Sequence, residues 1–265
     1  MNMKTCLRLE RVGMTYQSKQ KNIVAIQEVT QEIYEEEFIS IIGPSGCGKS
    51  TLIEIIAGLR KNTDGCVYLR DVKITSPDPK IGIVFQEESL LPWRTVLENV
   101  EFGLEVAGIK KEQRRKKCQE IINIVGLHGF EDSHPKALSG GMNQRVAISR
   151  ALAMDPVVLL MDEPFGALDQ QTRQYLGFEL LKIWHRTKKT IIFVTHDINE
   201  AAFLSDRVMV MTSRPSTIKE IVKIDIERPR DTSTITTKRF HELTDYLWTL
   251  LREESLKALP SEISK

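Results

Sequence analysis

The 265-residue chain has no apolar run near the roughly 18–20 residues that a bilayer-spanning helix needs. Val157-Val158-Leu159-Leu160-Met161 is among the longest. Met1-Asn2-Met3-Lys4 carries one charge and leads into mixed polar sequence, so no signal peptide is expected. Work at a membrane would then require a partner. No sign of charge dominates either, since 37 Lys and Arg stand against 36 Asp and Glu. That balance speaks against a nucleic-acid partner, which asks for a basic excess or stripe. The densest basic run, Arg114-Arg115-Lys116-Lys117, falls in a helical pattern with Glu112 and Glu120 and reads as a solvated helix face. Cys6, Cys47, Cys66 and Cys118 are scattered, with no CxxC pair. This excludes a disulfide framework and a zinc site as expectations and favours a reducing, cytoplasmic compartment. Internal repeats and low-complexity segments are absent too. What the chain does have is 41% hydrophobic residues, enough for a sizeable core in a length about the upper limit for one.

Short apolar runs place the strands. Residues 6–10, 22–26 and 29–33 read as an antiparallel β subdomain. Phe38-Ile39-Ser40-Ile41-Ile42 reads as a buried strand that enters a Gly-rich turn, followed by a helix from about 49 to 57 that Gly58 ends. Asn62-Thr63-Asp64-Gly65 has hairpin-turn chemistry and leads to a strand at 66–70. Further buried strands are expected at 81–85, 157–161, 190–194 and 207–211. Between about 97 and 154 the strand signals give way to three helical stretches, broken at Gly108 and around 126–135. A closing amphipathic helix at about 236–257 carries Phe240, Leu243, Leu247, Leu250 and Leu251 on one face. The expected fold is α/β: a core with an N-terminal antiparallel β subdomain and an inserted α-helical subdomain. A single domain is expected, with core at about 1–95 and 155–235, insertion at about 96–154, and a C-terminal helix and tail at about 236–265.

Gly43-Pro44-Ser45-Gly46-Cys47-Gly48-Lys49-Ser50 fits the P-loop pattern G-x-x-x-x-G-K-S/T, with Thr51 next, in the required strand-to-helix context. Glycines let the backbone curl so that N–H groups converge on phosphate oxygens, and the helix N-terminus adds partial positive charge. Lys49 can reach the β- and γ-phosphates, and the Ser50 hydroxyl suits Mg²⁺, a hard cation. A chance Gly-rich turn is the bland alternative. The motif makes the expected α/β core a P-loop NTPase core, but alone it says nucleoside triphosphate and leaves kinases, GTPases, motors and transport ATPases open.

Val158-Leu159-Leu160-Met161-Asp162-Glu163 is an apolar strand ending in two acids. Such a strand delivers Asp162 to the metal and leaves Glu163 placed to polarise a water. Alternatively, the two acids cap a turn before Pro164. Leu138-Ser139-Gly140-Gly141-Met142-Asn143-Gln144-Arg145 opens a further helical pattern running to about 154, with Ser139 a suitable N-cap, either as a second anion-binding helix start or as an ordinary cap. Gln86 could be a polar loop residue, His196 a helix cap, and Tyr16 a packing aromatic.

As an ordered set over essentially the whole chain, these motifs resemble the ATP-binding subunits of ABC transporters. The resemblance implies that residues 43–51 are the Walker A loop, Gln86 the Q-loop glutamine and 138–142 the signature motif. Residues 158–163 would be Walker B, Ala167-Leu168-Asp169 the D-loop, His196 the switch histidine, and Tyr16 the aromatic that stacks on adenine. It implies ATP and Mg²⁺ as cofactors, the ion held by Ser50, Gln86 and Asp162. Lys49, Gln86, Glu163 and His196 would carry catalysis, with His196 contacting the γ-phosphate. It also implies a head-to-tail homodimer around two ATP, with Ser139, Gly140, Gly141 and Met142 reaching the nucleotide held by the other copy. Permease subunits, an indirect solute-binding protein and a place on the cytoplasmic face of the membrane follow.

Leu90-Leu91-Pro92-Trp93-Arg94-Thr95-Val96-Leu97-Glu98-Asn99, Met142 in the signature, Pro164-Phe165-Gly166-Ala167-Leu168-Asp169 and Glu227-Arg228-Pro229-Arg230-Asp231 look like the importers of nitrate, sulfonates and taurine. Asn143 departs from the basic residue often seen there. Little sequence follows the core, so the long regulatory extension of some sugar importers is not expected. The alternatives are a soluble ABC-type ATPase of DNA repair or translation, and a P-loop kinase. Against them stand the single P-loop, the lack of sustained heptads and the 138–145 motif. Two further expectations concern side chains. Cys47, beside a helix N-terminus and Lys49, is expected to have a lowered thiol pKa unless its sulfur is buried. The stretch 89–93, with Trp93, is expected to contact a partner unless it packs the insertion onto the core.

Overall fold

The computed structural model describes residues 4–17 and 22–258. The leader reading at residues 1–3 and the tail from 259 lie outside the described residues. The elements are, in chain order, β1 (Thr5–Tyr16), β2 (Ile23–Tyr34), β3 (Phe38–Ile42), α1 (Lys49–Ile56), β4 (Asp64–Leu69), β5 (Val72–Lys73) and β6 (Ile81–Val84). They continue with α2 (Val96–Val106), α3 (Lys111–Ile124), α4 (Gly140–Ala153), β7 (Val158–Asp162) and α5 (Gln170–Thr187). The last are β8 (Thr190–Val194), α6 (Ile198–Leu204), β9 (Arg207–Met211), β10 (Ser216–Lys223) and α7 (Lys238–Ala258). They fall into two compact units, one of residues up to Asp78 and from Thr190 onward, the other Pro79–Lys189.

In the first unit the strands run in the order β5-β4-β1-β2-β10-β9-β3-β8. β3 lies parallel to β8 on one side and to β9 on the other. Both β3 and β8 are buried at every position, which is why they read as short apolar runs. β1, β2, β4 and β5 pair antiparallel, the N-terminal β subdomain that was expected. The separate runs at 6–10, 22–26 and 29–33 are, however, only parts of two long strands. Leu9 pairs with Gln31 but Val12 with Val29, so β1 carries an extra residue there, and Arg11 sits at φ 49°. Such a bulge breaks the two-residue alternation that marks a strand. The hairpin turn also lies elsewhere. Tyr68 pairs with Lys73 and Leu69 with Val72, so the two-residue turn is Arg70-Asp71, at φ 46° and 66°. Asn62 instead donates its amide to the carbonyls of Asp64 and Gly65, at 2.6 and 2.8 Å, and opens β4. On α7, Phe240, Leu243, Leu247 and Leu250 are buried along one face, as the sequence pattern requires.

In the second unit β6 and β7 are parallel, Ile81 opposite Val158 and Val84 opposite Met161. Helices α2, α3 and α4 come between them in the chain, matching the three helical stretches. Thr95 and Glu98 form a reciprocal capping box at the start of α2. Gly108 and Gly126 adopt φ of 75° and 70° just past α2 and α3, the left-handed turn that ends a helix. The basic run on α3 is less solvated than expected. Arg114 bonds Glu101 at 3.1 Å and Arg115 lies 3.4 Å from it, with Glu101 only 4% exposed.

Candidate nucleotide site

In the first unit, β3 feeds residues 43–48 directly into α1. Gly46 and Gly48 stand at φ 71° and 118°, regions that side chains with a Cβ enter at a cost. Gly48 is the N-cap of α1 and offers no side-chain acceptor to the first-turn N–H groups. Lys49 is buried at 7% exposure, and its Nζ donates to the carbonyls of Gly43 at 3.0 Å and Pro44 at 3.3 Å. Ser45, Gly46 and Ser50 are exposed beside it, while Pro44 and Cys47 are buried. A helix start with uncapped N–H groups, a cation drawn back over the loop and an open backbone form a cradle for phosphate. The donor set expected for the ion is a hydroxyl, an amide oxygen and a carboxylate, all hard oxygen ligands of the kind Mg²⁺ takes. Ser50 is exposed on the first turn of α1, and Asp162 is half-buried at the end of its strand.

Cys47 corrects the expectation of an acidic thiol. It is 1% exposed, and burial pushes its thiol up, outweighing the lowering effect of Lys49. Tyr16 closes β1, and its hydroxyl lies 2.9 Å from Thr51 Oγ1, with the Arg60 guanidinium 5.4 Å from the ring centre. The ring is therefore tied to the first turn of α1 and half-exposed. His196 follows β8 and is exposed. The helix cap that it could have supplied is Asp197, which accepts from the N–H of Asn199 at 2.8 Å and of Glu200 at 3.3 Å.

In the second unit, Asp162 ends β7 and Glu163 follows at φ 45°. A left-handed non-glycine residue costs of order 1–3 kcal/mol and is retained where a side chain must be aimed. The N–H of Gly166 returns to the Glu163 carbonyl at 3.0 Å. A Cβ on Gly166 would meet that carbonyl at 3.3 Å and Gln86 Nε2 at 3.4 Å. Gln86 and the Glu163 turn are thus brought together, with only a glycine's space between them. Ser139 caps α4, accepting from the Met142 N–H at 3.3 Å, and Ser139 and Gly140 are exposed. A Cβ on Gly140 would sit 3.1 Å from Leu168, and one on Gly141 3.3 Å from Thr172, so these glycines admit Leu168 and the start of α5. Asp169 caps α5 through the N–H groups of Gln171 and Thr172 at 3.1 and 3.0 Å and the Thr172 hydroxyl at 2.6 Å. Those bonds, led by the Thr172 hydroxyl, hold its carboxyl below the usual range.

Comparison with known proteins gives this arrangement its context. Residues 26–166, more than half of the chain, match the family described as ABC transporter. This chain belongs to the ABC transporter family. It is 51% identical to an uncharacterized ABC transporter ATP-binding protein, MJ0412, of Methanocaldococcus jannaschii, over 97% of this chain and 95% of that one. It is 46% identical to the aliphatic sulfonates import ATP-binding protein SsuB of Bacillus cereus, over 89% of this chain and 91% of that one. The dimeric post-hydrolysis structure of the ATP-binding cassette MJ0796, bound to ADP and Pi, covers 83% of this chain and 100% of its own, with TM-score 0.72 and 38% identity. The fold is accordingly that of the ABC cassettes, and the chain is an ABC transporter ATP-binding subunit and an ATPase.

Several residues of this ABC subunit escaped the sequence reading. Arg150 on α4 donates to the carbonyls of Ser89 at 2.7 Å and Glu88 at 2.9 Å, fixing the segment after Gln86 to the helix that Ser139 caps. The signal was one charge inside an apolar stretch of α4. Asn99, fully buried, accepts from the Leu91 N–H and donates to the carbonyls of Leu91, Arg94 and Thr95. It holds the 91–95 turn from which Trp93 projects, 71% exposed. In the first unit, the importer-like Glu227-Arg228-Pro229-Arg230-Asp231 run gains a physical role. Arg230, buried, donates to the carbonyls of Phe203 and Ser205 at 2.8 Å each, and Arg228 to that of Leu204 at 2.6 Å. Both guanidinium groups cap the end of α6, the helix that begins two residues after His196.

Proposed function

We propose that this chain hydrolyses ATP as the energising subunit of an importer of a small anion of the sulfonate, taurine or nitrate class. Two copies pair head to tail around two ATP molecules and dock on permease subunits at the cytoplasmic face of the membrane, with a solute-binding protein delivering the solute. The reading is carried by one observation. The glycine-led starts of α1 and α4, with Ser50 and Ser139 exposed, lie in one chain, and of the two only α1 has a lysine folded over its loop. Residues 43–51 hold the triphosphate, Tyr16 stacks on the base, Glu163 accepts the proton of the attacking water, and Gln86 and His196 orient it. Ser139, Gly140, Gly141 and Met142 reach the nucleotide of the other copy, and Asp169 lies at the dimer contact. Ser50, Gln86 and Asp162 would hold Mg²⁺, which would supply positive charge against the phosphates of ATP. Residues 1–95 and 155–235 act as the core, 96–154 as the helical insertion that carries the signature motif, and 236–265 as the C-terminal helix and tail. Among the described residues no helix is long and apolar enough to cross a membrane, which fits a subunit reaching the bilayer through partners.

The importer branch is supported by the likeness to SsuB and by the exposed Trp93 on a turn stapled by Asn99. The test is Trp93→Ala. A core residue of that size costs about 3–5 kcal/mol on truncation. An exposed contact leaves the unfolding midpoint unmoved while the permease no longer co-purifies and sulfonate uptake falls. A large loss of stability, or full uptake with the variant, contradicts the docking assignment.

A further inference from the structure

The turn between β9 and β10 borders the phosphate loop at three of its glycines, and no motif marks it. A Cβ on Gly43 would meet the Met211 Cβ at 3.1 Å, and one on Gly48 would meet Ser216 Oγ at 3.6 Å. Between these two contacts, the Arg214 guanidinium donates to the Gly46 carbonyl. The turn itself is built firmly. Thr212 N–H bonds the Thr217 carbonyl at 3.0 Å, and Thr217 N–H returns to Thr212 Oγ1 at 2.9 Å. Ser216 Oγ donates to the Ala25 carbonyl at 3.0 Å. Ser213 N–H reaches Glu254 of α7 at 3.2 Å, a carboxylate 2% exposed and bridged to Lys219 at 3.1 Å and Lys257 at 2.7 Å. The segment that carries Arg214 is therefore clamped on both sides, while Arg214 is itself exposed.

The partner of this cation is the Gly46–Cys47 peptide, which the loop itself holds at its other end. Gly46 stands at φ 71°, a region open to glycine, and the Cys47 N–H of the same peptide bonds the Pro44 carbonyl at 3.2 Å. Lys49 also stays inside the loop, where it takes the Gly43 and Pro44 carbonyls. The Gly46 carbonyl, in contrast, is held from outside the loop by Arg214, in the turn that follows β9, the strand paired with β3. A carbonyl turned toward phosphate would repel it, whereas one held outward leaves the neighbouring N–H groups to the anion.

We propose that Arg214 is a positioning residue for nucleotide binding, fixing the outward orientation of the Gly46 peptide so that the loop is preformed. α7, through Glu254, holds the turn on which Arg214 is mounted. The assignment rests on the ATP reading above and goes beyond it. Preorganisation of this kind acts on affinity rather than on the chemical step. With the full chain and Mg-ATP, Arg214→Ala is expected to raise Kd and KM about tenfold, with kcat within about twofold and an unchanged unfolding midpoint. Arg214→Lys, which keeps a cationic donor, restores most of the affinity. Wild-type affinity in Arg214→Ala, a fall in kcat alone, or no recovery in Arg214→Lys overturns the proposal while leaving ATP binding standing. Failure of the wild type to bind Mg-ATP more tightly than Lys49→Ala overturns the ATP reading and the proposal with it.

Discussion

Two helices in this chain begin on glycine-rich turns, and they are built differently. The start of α1 has a left-handed glycine as cap, no side-chain acceptor and a buried lysine folded back over its loop. The start of α4 has Ser139 as a conventional cap, ordinary backbone angles, no cation in its first turn and an exposed face. A helix start that will hold a polyanion in its own chain benefits from leaving its N–H groups open and bringing a charge. One that meets a phosphate already held by another copy must instead keep its shape alone, and a serine cap does this at a worth of about 1 kcal/mol. The glycines reflect the same division. Gly46 and Gly48 are needed for their backbone angles, whereas Gly140 and Gly141 are needed for the space that Leu168 and Thr172 occupy.

The largest expected effect tests the chemistry that the α1 side serves. Glu163→Gln is nearly isosteric, so Mg-ATP binding should persist while turnover falls by about 10²–10⁴. Near-normal hydrolysis would move the base elsewhere, with His196 the next candidate. The second effect tests the α1 start directly. Gly48→Ala forces a Cβ to φ 118° and to 3.2 Å from Ile26, so ATP affinity measured by titration should drop more than tenfold. An affinity unchanged by that substitution would remove the need for a left-handed cap. Ser139→Ala should do less and do it differently. Thermal unfolding should register a loss of about 1 kcal/mol, with ATP binding by the single subunit preserved. A matching loss of ATP affinity would place Ser139 on its own chain's nucleotide and erase the contrast. The smallest effect is at Cys47. Because burial raises its pKa, the reactive thiolate is scarce at pH 8, and alkylation should proceed more slowly than that of a free thiol. Fast, nucleotide-protected inactivation that Cys47→Ser abolishes would contradict the buried geometry.

How much of this was legible in the sequence follows from burial. β3 and β8 are buried throughout, so their residues had to be apolar, and the runs show it. The phosphate loop was legible because its backbone angles demand glycine at fixed positions. β10 left no such mark, since it is half-exposed along most of its length and carries Lys219, Glu220 and Lys223. β1 and β2 were read in pieces because bulges such as that at Arg11 shift the alternation from one face to the other. Among the site residues, Cys47 misled because the sequence shows the neighbouring charge and not the depth of the sulfur. Arg150, Asn99 and Arg230 act on backbone carbonyls brought close by the fold, and sequence carries no residue-specific trace of a carbonyl acceptor.

The central claim is that α1 of one copy and α4 of another take the same nucleotide. It is tested most directly by measuring the mass of purified Glu163→Gln in solution with and without Mg-ATP. The account predicts a single chain without nucleotide and twice that mass with ATP, with the larger species lost when Ser139→Ala is added. A Glu163→Gln protein that binds ATP yet stays a single chain, or that pairs equally well without nucleotide, would contradict it.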